Sequence, residues 1–305
     1  MSLLTIGTVA LDTVYTPFGT AERVIGGAAT YACWAASYFT KKQRLVSIIG
    51  DDFPKKEIDA LAKRGVDMDG LDIVEGKKSF FWEGRYNEDM NTRSTITTDL
   101  NVLADFDPIL PKKYLDSNYL MLGNLTPEIQ LSIINQMPNR PQLVAMDTMN
   151  FWIDVAKDSL LKVIEKIDVL TINDQEARQL TGVYSLAKAA KMILAMGPKY
   201  LIIKKGEHGA LLFHKDEVFF APGLPLTEVF DPTGAGDSFA GGFMGYMAMT
   251  EEDSFENMKR AVIYGSVMAS FCVQEFSIKK LKHLTKRDLA SQLKKFIRIV
   301  NFSVI

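Results

Sequence analysis

A chain of 305 residues with 47% apolar and 24% charged residues has the composition of a soluble globular protein, long enough for one large core with a small appendage. Thirty-five basic against 37 acidic residues leave a net charge of −2, which excludes the broad basic surface that nucleic acid demands and makes a small molecule the expected partner. Cys33 and Cys272 stand far apart, without Cys or His neighbours at ligand spacing, and read as buried, reduced thiols.

The opening apolar run, residues 3–9, is short, lacks a basic leader and runs into Asp12. It reads as a first strand rather than a signal peptide, and no stretch reaches bilayer length, so a cytoplasmic enzyme without membrane contact is expected. Further apolar runs at 44–49, 119–122, 143–146, 169–172 and 201–203 read as buried strands. Apolar residues recur at helical spacing over 28–39, 55–64, 175–180, 186–196, 235–248, 255–273 and from 287 to about 299. This alternation predicts an α/β fold: a doubly wound, Rossmann-like, mostly parallel sheet flanked by helices. Residues 79–86 and 92–98 break the rhythm, being rich in aromatics and Thr with strand alternation around the polar turn Asn87-Glu88-Asp89-Met90. With residues 13–25 they are read as a small β-sheet lid. The expected division is a core of 1–12, 26–75 and 104–305 and a lid of 13–25 and 76–103.

The densest chemical signal is Asp231-Pro232-Thr233-Gly234-Ala235-Gly236-Asp237-Ser238, a turn that opens straight into an apolar helix. Glycines let backbone approach a ligand closely, and the free N–H groups of a helix's first turn, here Gly234, Ala235 and Gly236, form an anion hole. A carboxylate at Asp237 beside that hole could take the proton of an attacking hydroxyl during phosphoryl transfer. The plainer alternative is that Asp237 only stabilises the helix start.

The Asp231–Asp237 run resembles the second signature of the phosphofructokinase-B, or ribokinase-like, carbohydrate kinase family, and the resemblance covers nearly the whole chain. Gly7 followed by Asp12 looks like that family's first strand and substrate-hydroxyl acid, and Gly26-Gly27 ahead of a helix resembles its first signature. The resemblance implies ATP-dependent phosphorylation with Mg²⁺, with Asn173 and Glu176 of Asn173-Asp174-Gln175-Glu176 acting on the metal through water and on phosphate. Alone, that motif is more often a helix cap. Lys204-Lys205-Gly206-Glu207-His208-Gly209 looks like the nucleotide loop, with Gly206, Gly209 and Thr233 on the ATP side. Strand alternation turns only one lysine inward, and Lys204 is favoured.

Two departures fall in the signatures. Tyr31 stands where many members carry Asn, which puts the usual amide contact to sugar in doubt and leans the reading toward a nucleoside; Pro232 replaces a common Thr. Asp12, Arg93, Asn124 and Asn150 offer a polar fork for substrate hydroxyls, and Phe80, Phe81, Trp82 and Tyr86 offer rings, most of which are expected to pack the lid's own core. Three scattered histidines support neither zinc nor a Ser-His-Asp triad, and no Walker loop or dinucleotide fingerprint is present. The sequence thus predicts a kinase transferring the γ-phosphate of ATP to a hydroxyl, a primary CH2OH, of a small sugar or nucleoside. The alternatives are a simple hexose, pentose or sugar-acid kinase, or a non-catalytic binding protein of the same fold. A monovalent cation is left open, and a homodimer through the exposed strands of the lid is expected.

Overall fold

The computed structural model describes residues 1–301. Chain order begins with β1 (Leu3–Ile6), β2 (Ala10–Thr16), β3 (Gly19–Gly26), α1 (Ala28–Ala36), β4 (Gln43–Gly50), α2 (Lys55–Lys63) and β5 (Val66–Val74). Then follow β6 (Phe81–Tyr86), β7 (Arg93–Asp99), β8 (Tyr119–Leu122), α3 (Pro127–Gln136), β9 (Leu143–Asp147), α4 (Asn150–Val155) and α5 (Lys157–Ile164). The last third holds β10 (Val169–Asn173), α6 (Asp174–Thr181), α7 (Leu186–Leu194), β11 (Tyr200–Lys204), β12 (Ala210–His214), β13 (Glu217–Ala221), α8 (Ala235–Thr250), α9 (Phe255–Cys272), α10 (Lys279–Lys282) and α11 (Lys286–Val300).

Nine strands form one sheet in the order β13-β12-β11-β10-β9-β8-β1-β4-β5, parallel from β5 to β11 and antiparallel at β12 and β13. Strand alternation divides the apolar side chains between two faces. Leu4, Ile6, Leu120, Leu122, Val144, Met146, Leu170, Ile172, Leu201 and Ile203 meet the helices α3, α5, α6 and α7. Leu3, Tyr119, Met121, Leu143, Ala145, Val169 and Ile202 meet α8 and α9. Both faces are covered, which is why these strands read as unbroken apolar runs. β5 went unread because Asp67, Asp69 and Asp72 interrupt its apolar residues at one edge of the sheet; β12 and β13, apolar strands of five residues each at the other end, went unread without such an interruption.

A second sheet, β3-β2-β6-β7, is the lid; β2 pairs antiparallel with β3 and parallel with β6, and β6 antiparallel with β7. Its first strand already begins at Ala10, so Asp12 stands inside a lid strand and the expected break after residue 12 falls within β2. Order along the main sheet reverses at β1, whose neighbours are β4 on one side and β8 on the other. Ligands of open α/β sheets bind beyond the carboxyl ends of the strands at such a switch point. The lid lies across those ends, where Tyr86 of β6 meets Thr233 ahead of α8.

Candidate active site

α8 starts without a side-chain cap: Gly234 takes its N-cap position in the left-handed region at φ 76°. A Cβ there would stand 2.4 Å from the ring of Tyr31, so the turn needs glycine both for its backbone and for the ring beneath it. The turn is tied down from three sides. Asp231 accepts from Thr233 N at 2.9 Å and from Ser277 N at 3.1 Å, Phe230 N reaches Val273 O at 2.8 Å, and the Cys272 thiol lies 3.4 Å from Thr233 O. Of the expected hole amides, that of Ala235 donates back to Pro232 O at 3.1 Å. Those of Gly234, Gly236 and Asp237 have no backbone acceptor outside α8 among the described residues. Ala235 therefore supports the turn, and the Asp237 N–H serves its own carboxylate.

Beside this helix start the ends of β9, β10 and β11 bring a charged cluster together. Lys204 Nζ donates to Asp147 Oδ1 at 2.9 Å and would stand 3.0 Å from a Cβ on Gly236; Lys204, not Lys205, is the lysine turned to the cleft. Burial together with the Asp147 charge pushes the Asp237 carboxyl up to about 6, against the pull of Lys204 and Arg93. Asn173 and Glu176 form a reciprocal capping box, with Asn173 Oδ1 accepting from Glu176 N and Glu176 Oε2 from Asn173 N, both at 2.8 Å. Burial lifts Glu176 to about 7 although Lys204 opposes it. The helix-cap reading was thus correct in geometry. Across the cleft, the nucleotide loop turns at Gly206, φ 56°, and Gly209, φ 88°.

The lid closes the other side. Asp12 is 5% exposed and packs where a Cβ of Gly26 would be, 1.9 Å from Oδ2. Burial first, then the charges of Asp231 and Asp237, raise it to about 8. Gly27, at the head of α1, approaches Thr8 closely while Thr8 Oγ1 accepts from Ala28 N at 2.9 Å. Trp82 is the register partner of Asp12 on the neighbouring parallel strand, so the two side chains lie side by side on one face. The indole lies against Gly84, where a Cβ would be 2.2 Å from its Cζ2 and Cη2. On the same face Tyr86 OH meets Thr233 Oγ1 at 3.3 Å, and Arg93, the partner of Tyr86, lies 5.6 Å over the Trp82 ring. Tyr86, Glu176 and Asp237 around the Arg93 guanidinium hold its charge against desolvation. At the hairpin tip, Asn91 Oδ1 lies 2.7 Å from where a Gly206 Cβ would be. The lid therefore touches the nucleotide loop and the anion hole together.

A two-layered cleft with a glycine anion hole, a buried carboxylate beside it and a second acid under a lid is the frame that the family comparison decides. Residues 9–281 match the model of the pfkB family carbohydrate kinases. The chain belongs to that family. The cytidine kinase of Thermococcus kodakarensis is 32% identical over 248 residues, covering 80% of this chain and 87% of that protein. The same fold appears in the nucleoside kinase of Methanocaldococcus jannaschii, with TM-score 0.76, 21% identity and 97% and 99% of the two chains covered. It appears again in the ribokinase of Thermotoga maritima, with TM-score 0.75, 22% identity and 96% and 99% covered. This pfkB kinase is a phosphotransferase with an alcohol acceptor, and its family uses ATP, typically with Mg²⁺.

The residues of the kinase fit a hydrated Mg²⁺. The capping box uses Asn173 Oδ1 and Glu176 Oε2 and leaves Glu176 Oε1 without a protein partner among the described residues. No group of three His, Cys, Asp or Glu there could encage a metal, which suits an ion held chiefly by water and nucleotide oxygens. Three expected substrate contacts fare differently. Tyr31 is 2% exposed, its ring packed against Gly234 within the α1 core, so it braces the anion hole and has no free face for a base. Asn124 accepts from Trp152 Nε1 at 2.8 Å and turns its amide to Met149 Sδ at 3.1 Å; its fork is already occupied. Asn150 is the exposed first residue of α4, joined through its carbonyl to Gln179. Asp147 was missed, since a lone acid at a strand end carries no motif.

Proposed function

We propose that this kinase phosphorylates the primary hydroxyl of a nucleoside. The observation that carries the reading is Trp82 beside Asp12: one side chain for an aromatic base, its neighbour for the ribose hydroxyls, on a single face of the lid. The similarity to a cytidine kinase over most of the chain supports it.

In this reading Asp12 orients the sugar, with the backbone at Gly26 and Gly27 closing that end of the pocket. Asp237 takes the proton of the attacking hydroxyl as its oxygen bonds to the γ-phosphorus and the bond to the β-phosphate oxygen breaks, its electron pair leaving on ADP. The amides of Gly234 and Gly236 and the charges of Lys204 and Arg93 stabilise the phosphoryl group in flight. Arg93, sharing its surroundings with Glu176 and Asp237, serves the phosphate rather than the sugar. Gly206, Gly209 and Thr233 line the nucleotide, and Glu176 with Asn173 would hold Mg²⁺ through water, the ion spreading phosphate charge. The reading assigns no step to a monovalent cation. An ATP requirement supports a cytoplasmic location, and the exposed edge strand β7, with Ile96 half-exposed, is the surface on which a homodimer through the lid would build.

Incubation with MgATP and a panel of nucleosides, pentoses, hexoses and sugar acids tests this. The expected result is turnover on nucleosides with the product phosphate on the 5′ oxygen by NMR; turnover confined to a simple sugar overturns it. Trp82→Ala is expected to lower kcat/KM for the preferred nucleoside by about 5- to 100-fold, the range of one lost base stack. Its effect on free ribose should stay within about twofold, because ribose has no base to stack.

A further inference from the structure

We infer that Asp147 is a positioning residue for phosphoryl transfer, holding the Lys204 ammonium at the mouth of the anion hole. The inference rests on the reading of Lys204 as a phosphate ligand. Asp147 ends β9 and Lys204 ends β11, with β10 between them, so the ion pair spans a strand rather than linking neighbours. Its geometry is fixed at the Asp147 end. Thr171, the register partner of Asp147 on β10, donates its hydroxyl to Oδ1 at 3.1 Å, the oxygen that also accepts from Lys204 at 2.9 Å. Gln130 of α3 donates to the Asp147 carbonyl at 3.2 Å, securing the strand end itself.

The ammonium lies 3.0 Å and Asp147 Oδ2 3.9 Å from where a Gly236 Cβ would be, which puts the pair against the first turn of α8, beside the free amides. The side chains are only 18% and 9% exposed. A surface ion pair at such a distance would contribute little, but a lysine that must stay charged and ordered inside a cleft needs a fixed partner. Without Asp147 the flexible four-carbon stem would be free to swing, and charge would no longer be prepositioned where it develops in the transition state. Asp147 takes no proton and forms no bond in the transfer; its positioning effect passes through Lys204, beside the charge by which it raises the Asp237 carboxyl.

The test is a double-mutant cycle of Asp147→Asn and Lys204→Gln, with thermal unfolding as a check on folding. With MgATP and the acceptor turned over fastest in the panel above, each single variant is expected to lose about 100-fold in kcat, as for loss of one preorganised charge donor. The KM for ATP and the Kd for MgADP should stay within about threefold, and the double variant should be no worse than the lower single variant by more than about threefold. Independently of any acceptor, calorimetry with a non-hydrolysable MgATP analogue against MgADP should show the triphosphate preference reduced equally in both singles. Multiplicative losses in the double variant, or an Asp147→Asn enzyme keeping more than about a third of kcat, overturn the proposal. A silent Lys204→Gln overturns instead the reading of Lys204. Should Asp147→Asn not fold, Thr171→Val, which removes the orienting hydroxyl, carries the same cycle with an expected loss of about fivefold.

Discussion

Asp237→Asn is expected to lower kcat/KM by about 10³-fold, within the range for removal of a general base, while the Kd for MgADP stays within about threefold. The amide keeps the size of the side chain and leaves the backbone N–H groups of the hole in place, so binding and chemistry separate. The pH profile adds a sharper mark. Burial and Asp147 raise the Asp237 carboxyl to about 6, with Lys204 and Arg93 pulling the other way. A base must be unprotonated to act, so wild-type kcat, read at saturating acceptor where Asp12 is already engaged, should climb with pH and level off above about 6. The residual activity of Asp237→Asn should lack that limb. An enzyme that keeps most of its rate after this exchange, or keeps the limb, does not use Asp237 as its base.

What the sequence showed and what it hid follow from how each feature is encoded. The turn into α8 was legible because its parts are contiguous: two glycines and an acid within seven residues, followed by the apolar run of α8. The parallel strands were legible because burial on both faces leaves no polar residue inside them. β5 was hidden by Asp67, Asp69 and Asp72 within it, affordable only at the edge of the sheet. The helices α3, α4 and α5 were not among the predicted helices, although Thr126 ahead of Pro127 is a regular helix start, with its hydroxyl accepting from Ile129 N.

The site residues that were misread are those whose partners lie far along the chain. Tyr31 sits four residues past Gly27, where a substrate contact was expected, yet its ring belongs to Gly234. Asn124 looks like a free amide until Trp152 comes to it across the ends of β8 and β9. Asp147 pairs with a lysine 57 residues away, a distance at which no local spacing speaks. Among the lid aromatics, alternation places Trp82 and Tyr86 on one face and Phe81 on the other, but only the register with Asp12 shows which face meets the cleft. Trp82, one of the rings the sequence offered alongside Tyr31, is the one the proposed reading gives to the base.

Asp12→Asn should move stability and activity in opposite directions. Burial, with Asp231 and Asp237 adding to it, raises the Asp12 carboxyl to about 8 from a usual 3.8. Between those values the unfolded chain has released its proton while the folded protein retains it, so the folded state binds more protons and loses stability as pH rises through the window. The loss is absent below pH 3.8 and complete above about 8. Asparagine carries no such charge and can still accept at the Asp12 position. Its melting temperature should exceed that of the wild type at pH 8 by about 2 °C or more, the equivalent of roughly 1 kcal/mol for a protein of this size, and the gap should close toward pH 4. The same exchange should cut kcat/KM for the acceptor by about 100-fold, since the carboxylate that receives the sugar hydroxyls is gone. An acid buried for structure would lose stability together with activity on this exchange; one kept under the lid for its substrate gives up activity alone, because its burial is a cost the folded enzyme bears in order to bind.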